Sequence, residues 1–202
     1  VVLDFCKSND ENTCWWYNER ATLSTLAGAA WRLRNGWIAI EEFSTLKRPF
    51  SIHTNNNKNK RRKSGRCDLY VSHGSTDFAI EAKQSWPTIT AKSTYANDKV
   101  SKSMKNAIKD ARDLTKDEAD IRLGISFSAP RIALKLVAKK NNPKQADQKL
   151  TREYVKCWLE TCELGKYDAW AYIFPKKCDN LIPLNGKNVF PGILLTVKQI
   201  KR

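Results

Sequence analysis

Two short stretches of alternating apolar and polar residues, joined by a turn sequence, constrain this chain more than any other feature. Residues 66–72 (RCDLYVS) and 77–84 (DFAIEAKQ) alternate with the period of two that is typical of half-buried strands. The four residues between them, 73–76 (HGST), include the glycine and serine that turns favour. The sequence therefore predicts an antiparallel β-hairpin, and the hairpin register decides which side chains share a face.

The predicted register brings two acidic residues together. With Ser72 paired to Asp77 across the turn, continuing the pairing outward puts Asp68 opposite Glu81. Like charges directly opposite each other on paired strands, with Cβ atoms about 4.5–5.5 Å apart, destabilise a sheet. A cation between the two carboxylates removes that repulsion, and Mg²⁺ is commonly held by one or two carboxylates with water and phosphate oxygens. Lys83 follows Glu81 at the spacing that places both on the same face.

The same alternation assigns the other hairpin residues to two faces. We expect one face to lie in the core, and it consists of Cys67, Leu69, Val71, Phe78, Ile80 and Ala82. The opposite face consists of Asp68, Tyr70, Ala79, Glu81 and Lys83. A metal ion polarises a phosphoryl group, and a fixed ammonium offsets the charge that develops in the transition state. The polar face therefore carries what hydrolysis of a phosphodiester requires.

The charge balance indicates the same class of substrate. The 202 residues include 36 Lys or Arg and 21 Asp or Glu, which gives a formal net charge of +15. A charge of that size usually reflects an anionic partner. The sequence contains no apolar run of the ~18 residues that a membrane span needs, and no signal peptide is visible at its start. We therefore expect an intracellular protein, cytoplasmic or nuclear and not secreted, that binds nucleic acid and no membrane.

Two groups of basic residues are the predicted nucleic-acid contacts. The first lies in a polar loop, residues 53–65, and consists of Lys58, Lys60, Arg61, Arg62 and Lys63. The second lies on the polar face of a predicted helix at about 98–114 and includes Lys102 and Lys105. The opposite face of that helix carries an apolar stripe, which consists of Val100, Met104, Ala107, Ala111 and Leu114. Contacts to phosphates supply most of the affinity in nucleic-acid binding. A solvated loop and a solvated helix face remain the alternatives for the two groups.

The six cysteines do not indicate a metal or disulfide framework. No pair has C-x-x-C spacing, and the two histidines, His53 and His73, are far from any cysteine pair. A chain of this length can bury a sizeable core without covalent staples. We therefore expect reduced thiols and no structural zinc.

Helical and strand patterns alternate along the whole chain. Up to residue 128 the patterns predict helices at 16–35 and 98–114 and strands at 37–44, 66–72, 77–84 and 121–128. Beyond it they predict strands at 132–138, 169–174 and 193–197 and a helix at 147–164. This order indicates an α/β fold with a mixed central β-sheet flanked by helices. We expect a single domain, 1–202, with a core at about 16–128 and a C-terminal extension of the same layers at 129–202.

The hairpin acids and the order of the elements resemble the PD-(D/E)XK nuclease superfamily. Its motif is an acid on one strand and (D/E)-x-K on the next, and here Cys67-Asp68 precedes Glu81-Ala82-Lys83. Cys67 stands where the motif has a proline. The resemblance implies a restriction-endonuclease-like core, with Mg²⁺ or Mn²⁺ held by Asp68, Glu81 and the carbonyl of Ala82. It also implies that Lys83 lies near the attacking water.

Members of that superfamily often carry a further acid on the helix that precedes the sheet. Glu19 is the best candidate, because it extends the apolar stripe of the first predicted helix and should point inward. Its alternative role is that of an acidic first-turn residue that stabilises the helix N-terminus. Glu41 and Glu42, on the first predicted strand, are weaker candidates for the same position.

The sequence thus predicts a Mg²⁺-dependent nuclease, a hydrolase of phosphodiester bonds, with DNA favoured over RNA as the predicted substrate. Its predicted catalytic residues are Asp68, Glu81, Lys83 and Glu19. Two alternatives remain open. One is a non-catalytic nucleic-acid-binding module of the same fold, and the other is a protein whose basic surface binds an acidic protein partner.

Overall fold

The computed structural model describes residues 1, 2, 4, 13–47, 63–90, 95–115, 117–175 and 186–201. The described α-helices are α1 (Glu19–Arg32), α2 (Tyr95–Asp113), α3 (Leu134–Val137) and α4 (Gln148–Thr161). The strands are β1 (Ile38–Lys47), β2 (Lys63–His73), β3 (Thr76–Ser85), β4 (Ile121–Ser128), β5 (Ile132–Ala133), β6 (Ala138–Lys139), β7 (Asn142–Ala146), β8 (Ala169–Ile173), β9 (Asn188–Val189) and β10 (Ile193–Gln199).

Six of these strands form one mixed sheet in the order β1-β2-β3-β4-β10-β8. β3 and β4 run parallel, with α2 between them in the chain, and the other neighbouring strands in the sheet are antiparallel. The predicted α/β fold with a mixed central sheet and flanking helices is therefore confirmed. None of the helices in these ranges is long and apolar enough to cross a membrane.

The helix α1 packs on one face of the sheet. The side chain of Asn18 caps its N-terminus by accepting a hydrogen bond from the backbone N–H of Ala21, at 3.0 Å. Leu23 and Ala27 are buried in a cluster that includes Leu69 of β2 and residues of β3 and β4. α1 therefore lies against the middle strands of the sheet, close to Asp68 and Glu81.

The helix α2 packs on the opposite face. The five residues of its predicted apolar stripe are all buried: Val100, Met104, Ala107, Ala111 and, just past the helix, Leu114. On β4, the Ser126 hydroxyl donates a hydrogen bond to Oγ of Ser103 on α2, at 2.8 Å. The stripe thus fixes α2 across β3 and β4, as the sequence predicts.

Gly124 of β4 allows α2 to lie this close to the sheet. A Cβ atom at Gly124 would lie 2.9 Å from the backbone nitrogen of Ile108 and 3.0 Å from the carbonyl carbon of Ala107. We expect Gly124→Ala to destabilise the protein by about 1–3 kcal/mol, because helix backbone cannot yield as a flexible side chain can. Urea unfolding measures the change. Gly165→Ala is the matched control, since a Cβ there meets nothing within 4 Å, and an equal loss in both variants would contradict the account.

The boundaries of several elements differ from the prediction. The predicted helix at 16–35 is shorter: Cys14–Trp16 form a 3₁₀ turn, and α1 ends at Arg32. Asn35 and Gly36 both have positive φ and lead directly into β1. The predicted strand at 132–138 is wrong, because β5 and β6 are two residues each and α3 lies between them. The segment is apolar except for Lys135, and a short apolar segment fits either type of structure.

The C-terminal part of the chain extends the same sheet and core. The predicted strands at 169–174 and 193–197 correspond to β8 and β10, and β10 joins the sheet beside β4. The predicted helix at 147–164 is α4. Asp147 caps its N-terminus by accepting a hydrogen bond from the backbone N–H of Leu150. α4 and α2 share a second buried cluster. The core therefore includes residues on both sides of position 128.

Strict alternation fails at one position of the hairpin. Cys67 was expected on the same face as Leu69, but it packs with Ala79 of the opposite face and with Leu114. The cause lies in the β1–β2 ladder, which pairs residues on either side of Glu42 but not Glu42 itself. Glu42 has a φ of 54°, and this irregularity changes the local twist next to Asp68.

Candidate functional site

The hydrogen-bonded ladder between β2 and β3 ends beside the two predicted acids. Ser72 lies opposite Asp77, as the sequence predicts, and the last pair of the ladder is Leu69 with Ile80. The next backbone group on β3, the N–H of Ala82, donates instead to Oδ2 of Asp68 at 2.8 Å. A carboxylate side chain thus takes the place of a backbone partner at this edge of β3.

Glu19 reaches the same strand edge from α1. Its Oε2 accepts a hydrogen bond from the backbone N–H of Gln84 at 2.8 Å. Residues two apart on a strand direct their backbone groups to the same edge, so Glu19 and Asp68 bind neighbouring sites on β3. Burial raises the pKa of Glu19, the negative charge of Asp68 adds to this, and the nearby charge of Lys83 opposes it.

The weaker candidates on β1 lie elsewhere. Glu41 accepts a hydrogen bond from the Ser24 hydroxyl, and Glu42 forms an ion pair with Arg20 at 2.7 Å. Both interactions lie on the exposed surface of α1 and β1. Of the candidates Glu19, Glu41 and Glu42, Glu19 is the one that lies beside Asp68.

Glu81 is the most deeply buried acid of the group. Its side chain is 3% exposed, and its Oε1 lies 2.7 Å from Nζ of Lys47 at the end of β1. The pKa of Glu81 is raised to about 7, because burial and the charge of Asp68 raise it by more than the hydrogen bond and charge of Lys47 and the charge of Lys83 lower it. Asp68 and Glu81 are therefore close enough to interact electrostatically.

Lys83 faces α2. Its Nζ lies 2.9 Å from Oδ2 of Asp110, a residue of α2. Burial alone would lower the pKa of Lys83, but the hydrogen bond and charge of Asp110, with the charges of Glu19 and Asp68, raise it overall. Lys83 is thus positively charged at neutral pH and held next to the carboxylates.

Sequence reasoning missed Lys47 and Asp110. The predicted first strand ends at Ser44, whereas β1 continues to Lys47 and carries that lysine to Glu81. Asp110 lies in a lysine-rich helix directly after Lys109, and its helix-face neighbours Asn106, Ala107, Asp113 and Leu114 give no sign of a site. The short distance between Lys83 and Asp110 depends on α2 crossing β3, which local patterns do not specify.

The predicted nucleic-acid contacts fall mostly outside the described ranges. Lys58, Lys60, Arg61 and Arg62 lie outside them, and for Lys63 only the backbone is described. That backbone starts β2 and pairs with Lys47, so the predicted loop at 53–65 is too long at its C-terminal end. Lys102 and Lys105 are exposed on α2, as a surface that contacts phosphates requires.

The donor atoms at the site suit a hard divalent cation. In the described ranges there is no group of three or more His, Cys, Asp or Glu side chains placed to hold a metal ion. Two carboxylates, those of Asp68 and Glu81, are still enough for Mg²⁺, which keeps several waters and binds substrate phosphates. Burial, with the charge of Glu81, raises the pKa of the Cys67 thiol to about 12, so the thiol is protonated at neutral pH in the metal-free protein.

Glu81 makes the stability of the metal-free protein depend on pH. Its pKa of about 7 in the folded chain exceeds the ordinary 4.5, so between these values the folded state holds a proton that the unfolded state has released. This proton stabilises the folded state by roughly 3 kcal/mol below about pH 4.5, and the stabilisation is lost as the pH rises to about 7. We expect Glu81→Gln to reduce the fall in unfolding free energy between pH 4.5 and 7, measured by urea unfolding in chelator. Equal falls in both proteins would contradict the assignment.

No protein-family model matches this chain, and neither does any curated protein or solved structure.

Proposed function

We propose that this protein is a metal-dependent nuclease that hydrolyses phosphodiester bonds, with DNA as its preferred substrate and a restriction-endonuclease-like core. The observation that carries the proposal is that Asp68, Glu81 and Lys83 lie close enough to affect one another's charge beside the end of the β2–β3 ladder. Glu19 reaches the same edge from α1. Carboxylates this close together repel each other and destabilise the folded protein, and a cation bound between them removes that repulsion.

The metal ligands in this proposal are Asp68, Glu81 and the backbone carbonyl of Ala82. The N–H and C=O of one strand residue point to the same side, and the N–H of Ala82 already faces Asp68. Mg²⁺ or Mn²⁺ bound there supplies positive charge that polarises the phosphoryl group and activates water. Because Glu81 is buried, its carboxylate has little freedom to turn away from that position.

Lys83 and Glu19 act on the reacting atoms in different ways. Asp110 and the nearby carboxylates keep Lys83 protonated, so its ammonium can orient the attacking water and offset the charge that develops on the phosphate. Glu19 is fixed by the N–H of Gln84 and holds a second negative charge beside Asp68. We assign Glu19 to the orientation of water within the site.

The charge of the chain supports an anionic polymer as substrate. The net charge of +15 would attract the phosphate backbone, and the proposed contacts are Lys58, Lys60, Arg61, Arg62, Lys63, Lys102 and Lys105. Two of these, Lys102 and Lys105, lie exposed on α2, the helix that also carries the Lys83 partner Asp110. A strand bound along α2 would therefore pass close to the site.

Replacing the basic residues of the predicted loop should weaken binding of nucleic acid. We expect the combined variant K60Q/R61Q/R62Q/K63Q to lose affinity for all DNA sequences alike. The slope of log affinity against log salt should flatten by up to about 0.9 for each lost phosphate contact on duplex DNA. Fluorescence anisotropy over a range of salt concentrations measures both effects. An unchanged salt slope would exclude the loop from the interface.

A non-catalytic nucleic-acid-binding module is the second candidate. The ion pair between Lys47 and Glu81 favours it, because an ammonium 2.7 Å from the buried carboxylate already balances its charge. A binding module would use the basic surface without turnover and would have no need of Lys83. The two candidates differ in whether the phosphodiester bond is broken.

The substrate experiment uses the whole chain with supercoiled plasmid, linear duplex, single-stranded DNA and single-stranded RNA, each with Mg²⁺ or Mn²⁺. The proposal predicts cleavage of DNA at a rate above that of RNA. Cleavage of RNA alone would retain the nuclease and reject the DNA preference. Binding of all four without cleavage would support the binding module.

A further inference from the structure

The ammonium of Lys47 is held beside Glu81 by the backbone around it. Lys47 is the last residue of β1, pairs there with Lys63 of β2, and also forms an isolated bridge with Leu114. Its side-chain stem passes over Gly65, where a Cβ atom would lie 3.0 Å from both Cγ and Cδ of Lys47. The structure therefore directs one particular lysine to the buried carboxylate.

Lys47 and a divalent cation would compete for the carboxylate of Glu81. Nζ of Lys47 lies 2.7 Å from Oε1 of Glu81, and the Glu81 side chain is only 3% exposed. Two cations at one carboxylate in a site of low solvent exposure repel each other more strongly than they would in water. Binding of a divalent ion at Glu81 thus requires the ammonium to leave.

We propose that Lys47 is a resident counter-ion that a divalent cation displaces from Glu81, and that the displaced ammonium binds a phosphate oxygen of the nucleic acid. The inference rests on the proposed function, since it needs the metal at Glu81 and the phosphate nearby. The side chain of Lys47 is 26% exposed, and its flexible stem lets the ammonium move while the backbone stays paired.

This exchange links the two ligands. Metal binding alone leaves Lys47 without its carboxylate partner, and a phosphate that accepts the ammonium relieves that cost. By the reciprocity of linked binding, nucleic acid should tighten metal binding and metal should tighten nucleic-acid binding by the same factor. Lys47 is then the residue that couples them.

The first test is Mn²⁺ affinity by isothermal titration calorimetry, without nucleic acid, for the parent, Lys47→Met and Lys83→Met. Lys47→Met should bind Mn²⁺ at least tenfold more tightly than the parent, because the competing charge is gone. Lys83→Met removes an equal charge from the same site, but that ammonium is paired with Asp110 and not with Glu81, so it should tighten Mn²⁺ binding less than Lys47→Met does. Lys47→Arg, which keeps the charge, should stay within threefold of the parent.

A second variant guards against a loss of folding in Lys47→Met. Gly65→Ala keeps every charge and crowds the stem of Lys47, so it should tighten Mn²⁺ binding in the same direction. Thermal melts without metal identify any variant that is not folded. A folded Gly65→Ala or Lys47→Met with the parent's affinity for Mn²⁺ overturns the inference.

The second test is DNA affinity in Mn²⁺, measured in a Lys83→Ala background so that DNA is not cut. There Lys47→Met should weaken DNA binding at least threefold, although it tightens metal binding. Tighter Mn²⁺ binding together with weaker DNA binding in Lys47→Met is the result that distinguishes the exchange. If the parent binds Mn²⁺ but Lys47→Met resembles Lys83→Met in the first test, the inference fails alone. If none of the proteins binds Mn²⁺, both the inference and the proposed metal site fail.

Discussion

Lys83→Ala should lower the rate of phosphodiester cleavage by about 10²–10³-fold while the protein still binds metal, the loss expected when one fixed group that stabilises developing charge is removed. Lys83 is paired with Asp110 and lies next to the carboxylates, so it contributes a charge rather than a ligand. Single-turnover cleavage of plasmid or linear duplex in saturating Mn²⁺ measures the rate. Thermal stabilisation by Mn²⁺ in the same samples shows that metal still binds.

The matched control for Lys83→Ala is Lys166→Ala. Lys166 also forms an ion pair, with Glu163 at 3.1 Å, but it lies past α4 and away from the acids. Its removal should leave the cleavage rate within about twofold of the parent, as for a surface substitution. Cleavage that survives Lys83→Ala unchanged would place the active site elsewhere and refute the residue assignments.

Asp68→Asn and Glu81→Gln should remove most of the stabilisation that divalent metal gives the folded protein. A ligand at 100 times its dissociation constant stabilises a folded protein by about 2.7 kcal/mol, because the unfolded chain lacks the site. Each substitution keeps the shape of the side chain but removes the charge that attracts the cation. Thermal melts with and without millimolar Mg²⁺ or Mn²⁺ measure the effect.

The control for this pair is Asp168→Asn, which removes an exposed carboxylate that binds Lys198 and the backbone of Gln199. It should retain the whole metal-dependent shift in melting temperature. Equal metal-dependent shifts in the parent, Asp68→Asn and Glu81→Gln would show that the cation binds somewhere other than the hairpin.

The register of the hairpin could be predicted because it depends on local chemistry. Alternation over two strands and a short turn fix the pairing of Ser72 with Asp77, and the structure has that pair. The stripe of α2 was predictable for the same reason, since every residue of it faces one way on a helix. Patterns with a period of two or 3.6 residues record which face is buried.

Features that depend on distant parts of the chain could not be predicted in this way. Trp15 is fully buried and donates its indole N–H to the carbonyl of Phe190, yet it lies in a stretch without pattern. The irregularity at Glu42 turns Cys67 to the other face, and no residue type in the sequence signals it. Lys47 meets Glu81 because β1 is longer than its alternation suggests.

The most direct measurement of the central proposal is cleavage of supercoiled plasmid by the parent protein in Mg²⁺ or Mn²⁺, compared with the same reaction in chelator. Lys83→Ala, purified identically, controls for a contaminating nuclease. The account predicts nicked or linear DNA with either metal, intact plasmid in chelator, and intact plasmid with Lys83→Ala over the same time. Plasmid that is bound but stays intact with both metals would contradict it, and the binding module would be the correct function.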